Sequence, residues 1–326
     1  MSIKPPSKPT STIASNFIAG GVGKTLTSPR TKARNFASED PEIYVKAMFF
    51  GSPGTGKTWV VKSLLELGFK VLVVTTDVGG DGLNAIIIPM RREGTWEKFR
   101  HNLRSQELTG YEEVKAFFKD PENFEGLEDL YQWDPDFIFW DGLSGWQQVD
   151  VSQYVGDMTP ERSGAKGVSD ARESGLQFEQ ADWGQIRNAT VRGVDDFCGI
   201  RNKLTGKPWH KIVTCHEAVK SKGASGGGGF VEAKEPLLQG AGGRIIIGAF
   251  DLVIRCTAKS DLTDEDGSKR IYEYVLQPNQ NLVAKVRGYE FPPRMIADPK
   301  ELITSIFKQM GVALPIVAGL PEPVLT

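Results

Sequence analysis

The residues with the most chemistry in their spacing are Gly51, Ser52, Pro53, Gly54, Thr55, Gly56, Lys57 and Thr58. They fit G-x-x-x-x-G-K-[ST] at every fixed position. Glycine carries no Cβ, so such a turn can bring its backbone N–H groups inward around phosphate oxygens. The helix that follows aims its positive end at the same place. Lys57 is placed to reach the β- and γ-phosphates, and the Thr58 hydroxyl to hold Mg²⁺. The pattern predicts a nucleoside triphosphate site. A second run, Gly20-Gly21-Val22-Gly23-Lys24-Thr25, ends the same way. Ile18 stands at its first glycine position and no apolar strand precedes it, so it is not expected to bind nucleotide.

The flanking elements are the context that this motif demands. An apolar run at Ile43–Phe50 reads as the first strand, and Lys57–Leu67 as a helix stopped by Gly68. Lys70–Thr76 reads as a second buried strand of parallel type. Asp77 follows at its carboxyl end, where ligands sit in open α/β sheets. Asp136–Gly142 is a further apolar strand, ending in Asp141. An acid there forms the second half of a P-loop site, near the metal. Trp209–Cys215 is the next strand, with His216 and Glu217 at its end. Residues 95–131 read as helix-prone, broken at Pro121. Phe178–Leu204 has helical spacing, with Trp183, Ile186, Val191, Val194 and Phe197 toward the core. Residues 151–176 and the glycine-rich stretch from Lys220 to Gly229 read as polar loops. Phe250–Cys256, Ile271–Leu276 and Leu282–Val286 are late strands, and Asp298–Met310 a last helix.

The predicted class is α/β, a P-loop NTPase core with a twisted, mostly parallel sheet flanked by helices and a β-rich C-terminal extension. Residues 1–40 read as a flexible basic arm, 41–296 as the ATPase domain, and 297–326 as a C-terminal helix with an irregular tail. The 326 residues suffice for a substantial core. A net charge of −2 means that any nucleic-acid contact must come from local patches. Cys198, Cys215 and Cys256 are far apart, with no C-x-x-C pair. That disfavours zinc and a disulfide framework, and it suits a cytoplasmic setting. The longest apolar run, Ile245 to Ile254, is broken by Asp251 and is too short to span a bilayer.

Taken together, GSPGTGKT, VLVVTTD, FIFWDGLSGW, DWGQIRNATVRGVDDF, KIVTCHE and AKVRG resemble the RecA-like P-loop ATPases. Within them the resemblance is to the phage RecA/RadA-type recombinases linked to single-strand annealing. It covers about residues 43–290. The resemblance implies an ATPase that uses ATP and Mg²⁺ and assembles as a homo-oligomer, ring or filament, on single-stranded DNA. Thr58 and Asp141 would serve the metal. The family places a Glu at the end of its second strand to activate water, and that position holds the shorter Asp77. Asp81 and Glu217 remain alternatives. His216 stands where the family has a polar sensor of the γ-phosphate. Lys285 and Arg287 resemble the family's K-x-R pair, which reaches a neighbouring subunit's γ-phosphate. The DNA-binding loops would be 151–176, with Arg162, Lys166 and Arg172, and the stretch from Lys220 to Lys234. Other readings are a DnaB-type ring helicase motor, a P-loop kinase with 151–176 as its lid, and a slow nucleotide-gated binding module.

Overall fold

The computed structural model describes residues 43–76, 81–154, 180–223, 230–238, 242–260, 270–278, 282–287, 290–311 and 314–315. The arm at 1–40, the run at 20–25, Asp77, most of 151–176 and the tail beyond 315 lie outside the described residues.

The strands are β1 (Lys46–Phe50), β2 (Val71–Thr75), β3 (Leu103–Glu107), β4 (Phe137–Asp141), β5 (His210–Cys215), β6 (Glu217–Gly223), β7 (Phe230–Pro236), β8 (Leu252–Ser260), β9 (Arg270–Val275), β10 (Lys285–Val286) and β11 (Arg294–Ile296). The helices are α1 (Trp59–Glu66), α2 (Asn84–Arg92), α3 (Trp96–Phe99), α4 (Tyr111–Lys119), α5 (Leu130–Trp133), α6 (Leu143–Trp146), α7 (Gln180–Gly199), α8 (Gly242–Ala249) and α9 (Pro299–Met310). Among the described residues, nine strands form one sheet in the order β11-β9-β8-β1-β5-β4-β2-β3, with β10 also on β8. The six from β8 to β3 run parallel. The late strands β9, β10 and β11 pair antiparallel. This is the expected α/β core with a β-rich C-terminal part.

Continuous apolar strands form such a sheet because both of its faces are covered. Successive residues point to opposite sides. Met48, Phe50, Leu72, Val74, Ile138, Trp140 and Val213 pack one way, against Val114 and Phe117 of α4, Trp146 of α6, and Ile186 and Phe197 of α7. Phe49, Val71, Val73, Phe139, Ile212 and Ile254 pack the other way, against Val60 and Leu64 of α1, Ile86 of α2, and Leu302 and Ile306 of α9. The compact unit runs over Ile43–Thr326, so α9 lies within it. Asp298 caps α9 by accepting the Glu301 N–H at 2.9 Å. No described helix is long and apolar enough to cross a membrane.

Three local expectations are corrected. Leu103–Glu107, inside the stretch read as helix-prone, is the edge strand β3, paired along its length with β2. Its alternating half-exposed side chains satisfy an edge position, where tertiary pairing outweighs local propensity. The stretch after His216 is an antiparallel hairpin, β6 with β7, rather than a loop throughout. Trp183 faces outward on α7, while Ile186, Val194 and Phe197 are buried as expected.

His210 opens β5 within an aromatic cage. It stacks on Phe137 at 4.7 Å and meets Phe307 edge-on at 5.5 Å. Its Nδ1 accepts the Val45 N–H at 3.0 Å, which requires the neutral ring. Burial pushes its pKa down from 6.5 to about 4. The unfolded chain therefore takes up the proton first, so this contribution is complete above pH 6.5 and lost as pH falls toward 4. Unfolding free energy from urea titrations should drop by about 2 kcal/mol between about pH 7 and pH 5 through this group. The His210→Asn variant, which keeps an acceptor and does not titrate, should show a correspondingly flatter pH profile.

Candidate nucleotide site

The parallel strands all end on one side. Phe50, the last residue of β1, is in register with Cys215 of β5 and Arg255 of β8. Thr75 of β2 is in register with Asp141 of β4. The turn Gly51–Thr58 leaves from this edge. Gly51 is fixed at its start: its N–H donates to the Cys215 carbonyl at 3.3 Å. A Cβ there would collide with the Cys256 carbonyl. Gly54 and Gly56 have φ of 76° and 84°, a region costly for other residues. Thr55 ties the turn to itself by donating to the Ser52 carbonyl at 2.8 Å. Pro53 completes it and lines the adjoining groove.

Lys57 is buried, and its ammonium donates to the Gly51 and Ser52 carbonyls at 2.9 and 3.0 Å. The cation thus lies within the turn that the sequence assigns to phosphate. Thr58 donates from Oγ1 to Asp141 Oδ2 at 3.0 Å, joining the start of α1 to the end of β4. The two residues assigned to the metal are therefore in contact. A hydroxyl and a carboxylate are hard oxygen donors of the kind Mg²⁺ takes. Together with the Lys57 ammonium and the open glycine turn, the residues fit a magnesium–nucleotide complex.

Asp141 is held from the other side by a residue that the sequence did not single out. Thr214 of β5 donates to Asp141 Oδ1 and accepts the Gly142 N–H at 3.1 Å. β5 lies between β1 and β4, so a polar side chain near its end falls between turn and acid. The signal was a threonine directly after the apolar pair Ile212-Val213 of β5. Thr76 adds to the frame, donating its N–H to the Asp141 carbonyl at 3.0 Å and receiving the Trp140 indole N–H at 3.0 Å. Next, Gly82 passes so close that a Cβ on it would stand 3.3 Å from Asp141 Oδ2. The backbone of Asp81–Leu83 thereby reaches the site.

His216 stands just past β5, one residue beyond the Cys215 that holds Gly51. Its N–H donates to Ser144 Oγ at 2.8 Å and its carbonyl accepts from Leu237 N at 2.7 Å. Glu217 is not a free carboxylate: Arg255 of β8 grips it with Nε and Nη2. That pairing counts against Glu217 as the group that activates water.

Two residues of β9 also reach the turn. Arg270 donates to the Gly54 carbonyl at 2.8 Å. The Tyr272 ring lies against Gly56, where a Cβ would stand 2.6 Å from it. Between turn and late strands lies a groove of about 410 Å³, lined by Ser52–Thr55, Arg255–Ser260 and Arg270.

Lys285 and Arg287 are not brought to this site. β10 pairs with the beginning of β8, and the Arg287 N–H donates to the Asp251 carbonyl at 3.1 Å. Asp251 in turn sits beside Lys46, the first residue of β1. The length of β1, about 13 Å, separates that level from the glycine turn. Lys285 donates to the Ile247, Gly248 and Phe250 carbonyls at the end of α8. Burial there, with the nearby Arg287 charge, holds its pKa below the usual lysine value. Arg287 keeps 65% side-chain exposure and a 3.7 Å ion pair with Asp251.

A family model described as an AAA domain matches residues 43–288, which spans the glycine turn, Asp141, Thr214 and the late strands. No curated protein matches the chain.

Thr214→Val should lower the unfolding free energy by about 2 kcal/mol, since it removes a partner from both Asp141 and the Gly142 N–H. Thr214→Ser, which keeps the hydroxyl, should cost less than half of that. Urea titration of the two variants measures the difference.

Proposed function

The chain belongs to this AAA-domain family of P-loop ATPases, and from that we propose a recombination- or annealing-type ATPase that assembles as a homo-oligomer on single-stranded DNA. The observation that carries the ATPase part is the convergence of Lys57, Thr58, Asp141 and Thr214 at one end of the sheet. In this reading the Lys57 ammonium exchanges its two carbonyl partners for β- and γ-phosphate oxygens of ATP. Thr58 and Asp141 hold Mg²⁺, and the chemistry that ion supplies is neutralisation of charge on the phosphates. Thr214 keeps the Asp141 carboxylate oriented. The resemblance gives His216, at the end of β5, the part of reporting on the γ-phosphate. The resemblance puts water activation at Asp77, the residue after Thr76, with Asp81 as the alternative.

The position of Arg287 supports an assembly. It cannot serve the site of its own chain from the other end of β1, and its exposure suits a role on a neighbour. An arginine supplied in this way stabilises charge on the transferring phosphoryl group. The hairpin of β6 and β7 leaves from β5 directly after His216, at the place where the resemblance puts a DNA-binding element. A stack of subunits would repeat such hairpins along one axis and bring Lys220, Lys222 and Lys234 of each to phosphates, with Glu217, Glu232 and Glu235 balancing their charge.

ATP hydrolysis should rise with single-stranded DNA, and the stimulation should fade as salt is raised. Hydrolysis that ignores DNA at every salt concentration would instead support a small-molecule phosphoryl acceptor. Lys57→Ala should abolish turnover. Arg287→Ala should lower kcat by about 10³-fold and leave ATP affinity within about threefold of the wild type. Mixing the two variants should restore part of the activity, because one contributes an intact turn and the other an intact arginine.

A further inference from the structure

We infer that the Glu217–Arg255 pair is a positioning device that makes the β6–β7 hairpin follow the state of the nucleotide turn. The inference rests on the ATPase reading above and extends it to residues with no role there.

The pair is unusual for its surroundings. Arg255 holds Glu217 with two bonds, Nε to Oε2 and Nη2 to Oε1, the latter 3.2 Å. The side chains are only 16% and 6% exposed. A buried ion pair gains little net stability, because removing both charges from water offsets most of their attraction. Its two-bonded geometry does fix direction, since the planar guanidinium fork matches a carboxylate in one orientation.

What the pair connects gives that direction a use. Arg255 is in register with Phe50, the residue before Gly51. The next residue, Cys256, packs its carbonyl against Gly51 closely enough to forbid a Cβ. Arg255 also lines the groove beside Ser52–Thr55. Glu217, at the other end of the pair, is the first residue of β6. A movement of the turn therefore meets Arg255 first and the root of the hairpin second.

The hairpin needs such a root. It forms a two-stranded sheet apart from the main one. Two strands alone are marginally stable, so outside attachments decide where they point. Besides the Glu217 pair, the described backbone bonds include the Leu237 N–H on the His216 carbonyl, which closes the hairpin's own base, and the Val283 N–H on the Lys234 carbonyl, which ties it to a neighbouring segment, at 2.7 and 3.1 Å. The second of these lies two residues before Lys285. The hairpin is thus strung between the nucleotide turn at its root and the segment that carries Arg287.

Hydrogen–deuterium exchange of 217–223 and 230–236 tests the proposal on the full chain, with and without a non-hydrolysable ATP analogue and Mg²⁺. In the wild type the analogue should change hairpin exchange by about tenfold. Glu217→Gln should bind the analogue within about threefold of the wild type and Arg255→Lys should still bind it, yet both should show less than about a twofold change in the hairpin. The double variant Glu217→Leu, Arg255→Met replaces the pair by apolar groups, which a buried site tolerates, and it should fold and be equally uncoupled. A hairpin response that persists in all three variants overturns the proposal. So does a wild type that binds the analogue with no change in the hairpin, while the ATPase reading survives. A wild type that binds no analogue overturns both.

Discussion

Asp141 is the constraint on which the site depends. A carboxylate at the end of a fully buried strand must be held by donors, since an unpaired buried charge is costly. Two hydroxyls meet it, one from Thr58 at the start of α1 and one from Thr214 at the end of β5. Each comes from a different element, so the acid can be satisfied only when β1, β5 and β4 end at the same level. The parallel register of these three strands and the path of the glycine turn are thereby tied to one side chain.

The same level organises what surrounds it. Cys215 holds Gly51 through its carbonyl, and its thiol lies 2.9 Å from Ser144 Oγ. Ser144 also accepts the His216 N–H. Trp146, two residues on, packs edge-on against Trp140 at 5.1 Å and fills a place on α7 that only Gly193 leaves open. Positions from the acid strand, the strand beside it and the helix behind them are therefore coupled by close packing. Interiors of this density transmit small shifts rather than absorb them.

Much of this was legible in the sequence where the signal is local. The glycine turn, Lys57, Thr58 and the apolar strands ending in Asp141 and Cys215 follow from spacing and hydrophobic runs, and the AAA-domain match covers the same stretch. The parallel order followed too, because apolar runs alternating with helical segments leave few alternatives. Pairing that depends on distant partners was not legible. Leu103–Glu107 reads as polar and becomes a strand only because β2 is beside it. Lys220 and Lys222 read as loop residues and lie in a strand opposite Ala233 and Val231. Thr214 and Arg255 carry no motif, and their roles appear only once β5 and β8 flank β1 on either side.

The placement of the two late cations bears on how the proposed trans role of Arg287 would work. Lys285 spends its three donors on the carbonyls that end α8, an arrangement that satisfies both the ammonium and a helix terminus. It therefore anchors β10, and Arg287 two residues later inherits a fixed origin at the edge of the sheet. The glycine turn and Arg287 sit at opposite ends of the same parallel strands. A single copy then holds a site without its arginine and an arginine without a site. A head-to-tail arrangement, in which one end of the sheet faces the other end of the next, supplies both, and a repeated contact of that kind generates rings or filaments. On this reading, hydrolysis belongs to the interface between copies, and the hairpin strung from the glycine turn to the Arg287 segment lies along the route by which each copy registers the next.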